Sequence, residues 1–503
     1  MLGQREQWGS RFGFIMAAVG SAVGLGNIWR FPYMAADNGG GIFFLCYLFA
    51  LLTAGIPIMI LEFGIGHKYR GSAPLTFFKI NPKWEWLGWW QVLVCFFISI
   101  YYVVVIAWAL SYVIFSLNIA WGDAPKDFFF GSYLKLTGGP FELGGINTQI
   151  LLPLAVAWIV AFVAIYTGVK AGIERIAKYL IPILFFMVVF IVIRGVTLPG
   201  SAAGLNFLFE PDFSRIFDYK IWTAAYGQIF FDLSICFAIM ITYSSYLPKK
   251  SDVVNNAFTT CLTNCSFSVL AGMAVFSILG HMAFTQGVDV KEVASAGVGL
   301  AFITFPAAIS SLGSAAPIFG VLFFLALTFA GITSLISINE AAIASIMDKF
   351  EMGRKKATIM YTGTAAVCSL LFATGAGLYI LDIVDHFTNN FGIVFAGLIQ
   401  VLLLGWLFDL KSIKDHVNPI SDFKIGNWWL FAIKVVTPLV AGYTGIMTLI
   451  GDLKKPYEGY PPDALFWMGW FVLIVIVVGG VLMASYKWKG EQTLVKGGIS
   501  LDR

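Results

Sequence analysis

Long apolar runs alternate with short polar connections along this chain, and most runs exceed the roughly 20 residues a helix needs to cross a bilayer. The pattern predicts about twelve spans, at 11–37, 41–68, 87–119, 149–168, 173–197, 221–246, 252–284, 314–349, 354–374, 378–409, 428–451 and 464–486. Two runs are flawed in the same way. In the first, Gly20, Gly24 and Gly26 lie close together, with Asn27 and Arg30 just after them, inside an otherwise apolar segment. Each glycine costs a helix roughly 1 kcal/mol against alanine, and polar side chains are expensive at membrane depth. The sixth run carries Gln228, Asp232 and Ser234, and an ionisable residue at that depth marks a cavity or an ion path. Both are read as helices interrupted at mid-membrane, with freed backbone groups turned toward a ligand. Span 1 opens one five-helix block and span 6 the next. This predicts an inverted repeat, 11–197 against 221–409, with 428–486 adding two helices to a single transporter domain.

Composition agrees. The 503 residues are 59% hydrophobic and 12% charged, with a mean hydropathy of +0.82, which excludes a soluble globular protein and assigns an all-α polytopic membrane protein. The net charge of +4 is informative through its placement. Lys68, Arg70, Lys79 and Lys83, then Lys170, Arg175 and Lys178, Lys249 and Lys250, Arg354 to Lys356, Lys411, Lys414 and Lys424, and Lys487 and Lys489 fall in alternate connections. That bias puts both termini in the cytoplasm. The connections at 120–148 and 285–313 are the longest, and their Gly, Pro and Phe content predicts packing on the protein. No cleavable leader is read at the N-terminus. The six cysteines lie in apolar runs without metal or disulfide spacing and are read as small buried hydrophobes. The four histidines receive no chemistry, and the tryptophans at 84, 86, 89, 90, 428 and 429 read as interfacial belt. A multi-pass protein of the cell membrane is expected, of the prokaryotic inner-membrane kind, with the lipid bilayer and no nucleic acid as partner.

Hard cations need oxygen ligands, which unwound carbonyls and Asn, Ser, Thr or Asp side chains supply. Span 1 offers Ala22 and Asn27, span 6 Asp232, span 7 Asn264, and span 8 the run Ala330-Gly-Ile-Thr333-Ser334. Thr333 and Ser334 could equally bond back to their own helix, and Asn264 could serve as an interhelical hydrogen bond. Gly172 followed by Pro182 brackets the start of span 5. This is a segment able to unwind toward the cytoplasm, or simply a start glycine and a tolerated kink.

The run Gly20 to Pro32, Asn38-Gly-Gly-Gly41, Gly55-Ile-Pro57 with Glu62, Tyr101-Tyr102, Gly172-Ile-Glu-Arg175, Gln228-Ile-Phe-Phe231, Ala330-Gly331, Thr333-Ser334 and Asp382 with Asp385 resemble the neurotransmitter:sodium symporters, and among them the bacterial leucine-transporter type. The resemblance implies a sodium-coupled symporter of an amino acid with alternating access and two sodium sites. One sodium site would use Ala22, Asn27, Asp232, Asn264 and the substrate carboxylate; the other Gly20, Val23, Ala330, Thr333 and Ser334. The carboxylate would meet the N–H groups near Leu25 and Gly26 and the Tyr102 hydroxyl, and the ammonium the carbonyls around Phe231 and the hydroxyl of Ser234. Ile98, Phe231, Phe237, Ser334 and Ile338 would line the side-chain pocket. An outer gate would pair Arg30 with Asp385 over a lid of Phe231 and Tyr102. An inner gate would pair Arg5 with Asp348, beside Trp8, Ser245 and Tyr246. No organic cofactor is implied, and the assembly is expected to be a monomer or loose homodimer.

Two departures from the family pattern sharpen the expectation. Gly24 stands where monoamine carriers have an aspartate, so the substrate must bring its own carboxylate. Asp232 stands where many relatives have Ser or Thr, and Ser268 where the leucine type has a glutamate. Chloride-dependent relatives hold the anion among the positions of Tyr47, Gln228, Asp232, Asn264 and Ser268. The expectation is chloride-independent transport, Asp232 supplying the negative charge and taking a proton on the empty return; the alternative is a plain sodium ligand. Cys236 and Ala238 add volume around Phe237, which favours a small or medium neutral substrate. The rival readings are a chloride-dependent carrier of another small amino or amine solute, a transport-inactive amino-acid sensor, an ion channel and an intramembrane enzyme. No nucleophile–base pair or metal cluster supports the last, so no enzymatic activity is expected.

Overall fold

The computed structural model describes residues 5–293 and 299–489. Part of the connection expected at 285–313 therefore lies outside the described residues. The described chain is helical throughout, with two isolated bridges in place of sheet. Among the described residues ten helices are long and apolar enough to cross a membrane, and Arg11–Ala22 with Gly26–Asp37, bent by 53°, makes an eleventh. The short helices Tyr219–Asp232 and Ile239–Ser245 flank six non-helical residues and occupy the place of the expected sixth span.

Burial sorts the spans. Span 3 (Pro82–Phe115) and span 8 (Gly313–Phe350) are buried over 83% and 78% of their apolar windows, whereas span 12 (Pro462–Ser485) is buried over only 28%. The first two thus form the centre, and span 12 stands at the lipid-facing rim. The halves of span 6 lie against span 2 (Gly41–Tyr69), where glycines permit close approach. A Cβ on Gly55 would sit 2.7 Å from a Leu233 methyl, and one on Gly66 would sit 2.2 Å from the Ile241 carbonyl oxygen. Phe302, from the connection before span 8, stacks on Phe129 from the connection after span 3, at 5.1 Å between centroids and 10° between planes. Phe302 also meets Trp29 of span 1. The two long connections thus pack on each other and on the protein, as their composition predicts.

A charged pair is buried at the far end of span 8. Lys349 Nζ donates to Glu85 Oε1 at 2.6 Å, and Trp488 Nε1 donates to the other carboxylate oxygen at 2.9 Å. The last described turn of chain is thereby fastened to spans 3 and 8.

The span 2 glycines give a direct test. Gly66→Val pushes against backbone and is expected to destabilise the protein by about 1–3 kcal/mol. Gly363→Ala, inside the helix Arg354–Ser369 where a Cβ meets nothing within 4 Å, should instead raise the melting temperature in detergent, since it recovers the roughly 1 kcal/mol that glycine costs a helix.

Candidate functional site

Span 1 stops at Ala22 because Val23 turns extended, at φ −74° and ψ 94°, and restarts as a π-helical turn over Gly26–Arg30. The groups freed there find side-chain partners. Asn27 Oδ1 accepts the Gly24 N–H at 2.8 Å, and the Leu25 N–H donates to the Tyr102 hydroxyl at 3.1 Å. Gly24 is tightly enclosed: a Cβ would lie 2.8 Å from Ser334 Oγ and 2.9 Å from the Tyr102 hydroxyl. Neither alanine nor aspartate fits there without displacement.

The break in span 6 is more unusual. Ser234, Cys236 and Ala238 have φ of 52°, 69° and 68°, the left-handed region that costs a non-glycine residue roughly 1–2 kcal/mol. Surrounding contacts hold it. The Cys236 N–H donates to Glu62 Oε1 at 2.8 Å, the Ala238 N–H to Gln91 Oε1 at 3.1 Å, and the Cys95 thiol to the Phe237 carbonyl at 3.0 Å. Ser234 Oγ donates to the Ser21 carbonyl at 2.9 Å, tying one break to the other.

Asp232, 1% exposed, lies at the end of the first half of span 6. Gln228 Nε2 donates to its Oδ1 at 2.6 Å, and the Tyr47 hydroxyl to its Oδ2 at 3.1 Å. Ser268 Oγ is 3.4 Å from the same Oδ2. Asn27 Nδ2 reaches Ser268 Oγ at 2.7 Å and Asn264 Oδ1 at 2.9 Å. All five residues named for charge compensation therefore join one network with Asn27. Asn264 Nδ2 and Ser21 Oγ, both buried, find no partner among the described residues, so the polar capacity at the breaks exceeds what those residues satisfy.

At the second proposed sodium site the two hydroxyls differ. Thr333 Oγ1 bonds back to the Phe329 and Ala330 carbonyls, both at 3.0 Å, the ordinary behaviour of a helical threonine. Ser334 Oγ reaches across to span 1, donating to the Ser21 carbonyl at 3.0 Å and lying 3.4 Å from that of Gly20. A Cβ on Gly20 would lie 3.3 Å from Thr333 Cβ, so Gly20 and Thr333 adjoin. Val23, Ala330, Ile98, Tyr102, Phe237, Ile338 and Leu25 are all buried in one apolar core. Phe231 presses on Gly26, whose Cβ would lie 2.4 Å from the ring.

This oxygen-rich meeting of two broken helices can be compared with known proteins. The model of the sodium:neurotransmitter symporter family matches residues 5–124 and 119–491. The chain belongs to this family. An uncharacterised sodium-dependent transporter of Methanocaldococcus jannaschii is 43% identical over 97% of this chain and 99% of its own length. The human sodium- and chloride-dependent GABA transporter 2 is 30% identical over 92% of this chain and 84% of its own. A canine sodium- and chloride-dependent taurine transporter is 29% identical over 93% and 82%. The chain is a sodium-dependent symporter and a multi-pass membrane protein; members of the family are transporters, not enzymes.

On the symporter's N-terminal face the charges are joined. Arg5 Nη1 contacts both oxygens of Asp348 at 3.0 Å, Arg5 Nε donates to Ser245 Oγ at 2.9 Å, and the guanidinium lies over the Tyr246 ring at 5.0 Å. Burial works against the charge on Arg5, but Asp348 and Tyr246 outweigh it, so its pKa is raised above the ordinary value. Trp8 Nε1 donates to the Tyr243 carbonyl at 2.9 Å. A second set, missed in the sequence, adjoins the first. Arg354 contacts Glu340 at 2.6 Å and Glu6 at 2.6 Å, and the Tyr246 hydroxyl donates to Glu340 at 2.6 Å.

On the opposite face, the expected Arg30–Asp385 ion pair is not formed among the described residues. Arg30 donates to Gln228 Oε1 at 3.2 Å and lies over the Phe231 ring at 4.7 Å. Asp385 Oδ1 accepts from the Tyr101 hydroxyl and from Asn389 Nδ2, both at 2.7 Å. Each group thus bonds to another partner in this conformation rather than to the other charge. Besides the Glu340 set, Glu62, Gln91 and Gln400 also escaped assignment to a site. Their only signal was a lone polar residue inside an apolar run.

Gly24→Ala intrudes on Ser334 and Tyr102 together. It is expected to lower sodium-dependent uptake at least ~10-fold, equivalent to about 1.4 kcal/mol, while shifting the melting temperature less than Gly66→Val.

Proposed function

We propose that this symporter carries a small or medium neutral α-amino acid together with two sodium ions, and that it does so without chloride. The observation that carries this reading is Asp232. A carboxylate is bonded into the one network that also contains Tyr47, Gln228, Asn264 and Ser268, so the chain itself supplies a negative charge beside Asn27. Gly24, enclosed as it is, leaves no room for a side-chain carboxylate to hold an amine; the substrate's carboxylate takes that part, near the Leu25 and Gly26 N–H groups and Tyr102. A helix N-terminus favours such an anion.

In this reading the first sodium ion is held by Ala22, Asn27, Asp232, Asn264 and the substrate, and the second by Gly20, Val23, Ala330, Thr333 and Ser334. The orphaned Asn264 Nδ2 and Ser21 Oγ agree with a site whose polar groups regroup around guests. Each sodium ion crossing about 100 mV contributes roughly 2.3 kcal/mol from voltage, so two concentrate a neutral solute strongly. The two blocks 11–197 and 221–409 act as inverted repeats around the breaks. Both termini face the cytoplasm, so that Arg5–Asp348 seals the inner side and Arg30 with Asp385 closes the outer side in turn. Asp232 takes a proton when the empty carrier returns.

Proteoliposome uptake of a panel of amino acids under an inward sodium gradient tests the reading. A neutral amino acid should accumulate at a rate unchanged when gluconate replaces chloride. A steep rise with chloride would establish the chloride-dependent alternative, and binding without accumulation would establish a sensor. Asp232→Ser is expected to retain uptake only when chloride is present, checked by the same assay with and without chloride.

A further inference from the structure

A buried polar ring closes on the break in span 6. The Ala238 N–H donates to Gln91 Oε1 at 3.1 Å, Gln91 Nε2 to Gln400 Oε1 at 2.7 Å, and Gln400 Nε2 to Glu62 Oε1 at 2.8 Å. The same Glu62 oxygen accepts the Cys236 N–H at 2.8 Å. Glu62, Gln91 and Gln400 are fully buried. The direction of every bond follows from chemistry. A backbone N–H can only donate, so Gln91 faces Ala238 with its oxygen. Its nitrogen then faces Gln400, whose oxygen accepts and whose nitrogen is left for Glu62. Either amide reversed would set donor against donor. The ring draws on spans 2, 3 and 10 and grips two of the three left-handed residues of the break.

We propose that Gln91 and Gln400 are positioning residues of the substrate site. Touching neither substrate nor ion, they hold Cys236 and Ala238 left-handed so that Phe237 and the carbonyls before it face the cavity. Cys236 and Ala238 do not favour that backbone as glycine would, and in an apolar interior the freed N–H groups would otherwise gain by returning to helix. A closed ring of amides opposes this because opening any bond strands a buried donor. The claim that the break binds substrate rests on the proposed function; the claim that the ring holds the backbone does not.

The test uses Gln91→Met, which keeps volume and removes both amide bonds, in the full-length, sodium-loaded protein without any amino acid. Amide exchange at Cys236, whose own bond to Glu62 is untouched, is expected to accelerate about tenfold as the break opens more often, with span 8 unchanged. Adding Ala238→Gly, which makes the left-handed backbone inexpensive, is expected to restore exchange to within about twofold of wild type. Gln400→Met breaks the ring from the other side and serves if Gln91→Met does not fold. Unchanged exchange overturns the proposal, and so does an acceleration that glycine fails to reverse. Uptake then supplies the second readout: KM for the transported amino acid rises about tenfold with Vmax within about twofold. If exchange responds as expected and the wild type transports no amino acid, the substrate assignment fails while the positioning role stands.

Discussion

A helix broken inside a bilayer leaves backbone N–H and C=O groups that water cannot reach, and each must be satisfied by the protein or its cargo. That constraint organises this molecule. Span 1 hands its freed groups to Asn27 and Tyr102; span 6 hands its own to Glu62, Gln91 and Cys95. Ser234 and Ser334 both reach the Ser21 carbonyl, so the breaks are joined to each other as well as to the scaffold. The buried Asp232 carboxyl group sits beside these partners, bonded to Gln228 and Tyr47, where the proposed function has it supply a negative charge. Spans 3 and 8, the most buried of the ten long apolar helices, carry Tyr102 and Ser334, two of the side chains that bond to the break in span 1.

The two faces differ in how their charges are used. On the N-terminal face Arg5–Asp348 and the Glu6–Arg354–Glu340 set form consecutive ion pairs between the chain start and span 8. On the other face Arg30 and Asp385 bond to separate neutral partners. One side is thus joined by ion pairs and the other is not, an asymmetry that agrees with the alternating access proposed above. Cargo shifts that balance only by binding the two arrangements with different affinity.

Much of this was legible in the sequence because the costs are local. Three glycines beside Asn27 and Arg30, and an aspartate in the sixth apolar run, are expensive in lipid and so announce the breaks. The long spans are legible from length alone. The side-chain partners were less so. Gln91 and Gln400 are single amides in apolar runs 309 residues apart, and nothing local says that they meet. Positive φ at Ser234, Cys236 and Ala238 was hidden because glycine, its usual signal, is absent there. The resemblance paired Arg30 with Asp385, yet each has a nearer partner, Gln228 for one and Tyr101 with Asn389 for the other, which only the folded packing reveals. Thr333 showed the back-bond open to any helical threonine, while Ser334, one residue on, points to span 1.

If the chain's own carboxylate stands in for an anion beside a sodium site, the protein binds sodium without chloride. Equilibrium binding of radioactive sodium to the purified protein, in chloride-free buffer and without amino acid, tests it most directly. Binding should be saturable, not strengthened by added chloride, and weakened at least ~10-fold, about 1.4 kcal/mol, by Asp232→Asn. Binding that requires chloride in the wild type, or that Asp232→Asn leaves unchanged, would contradict it.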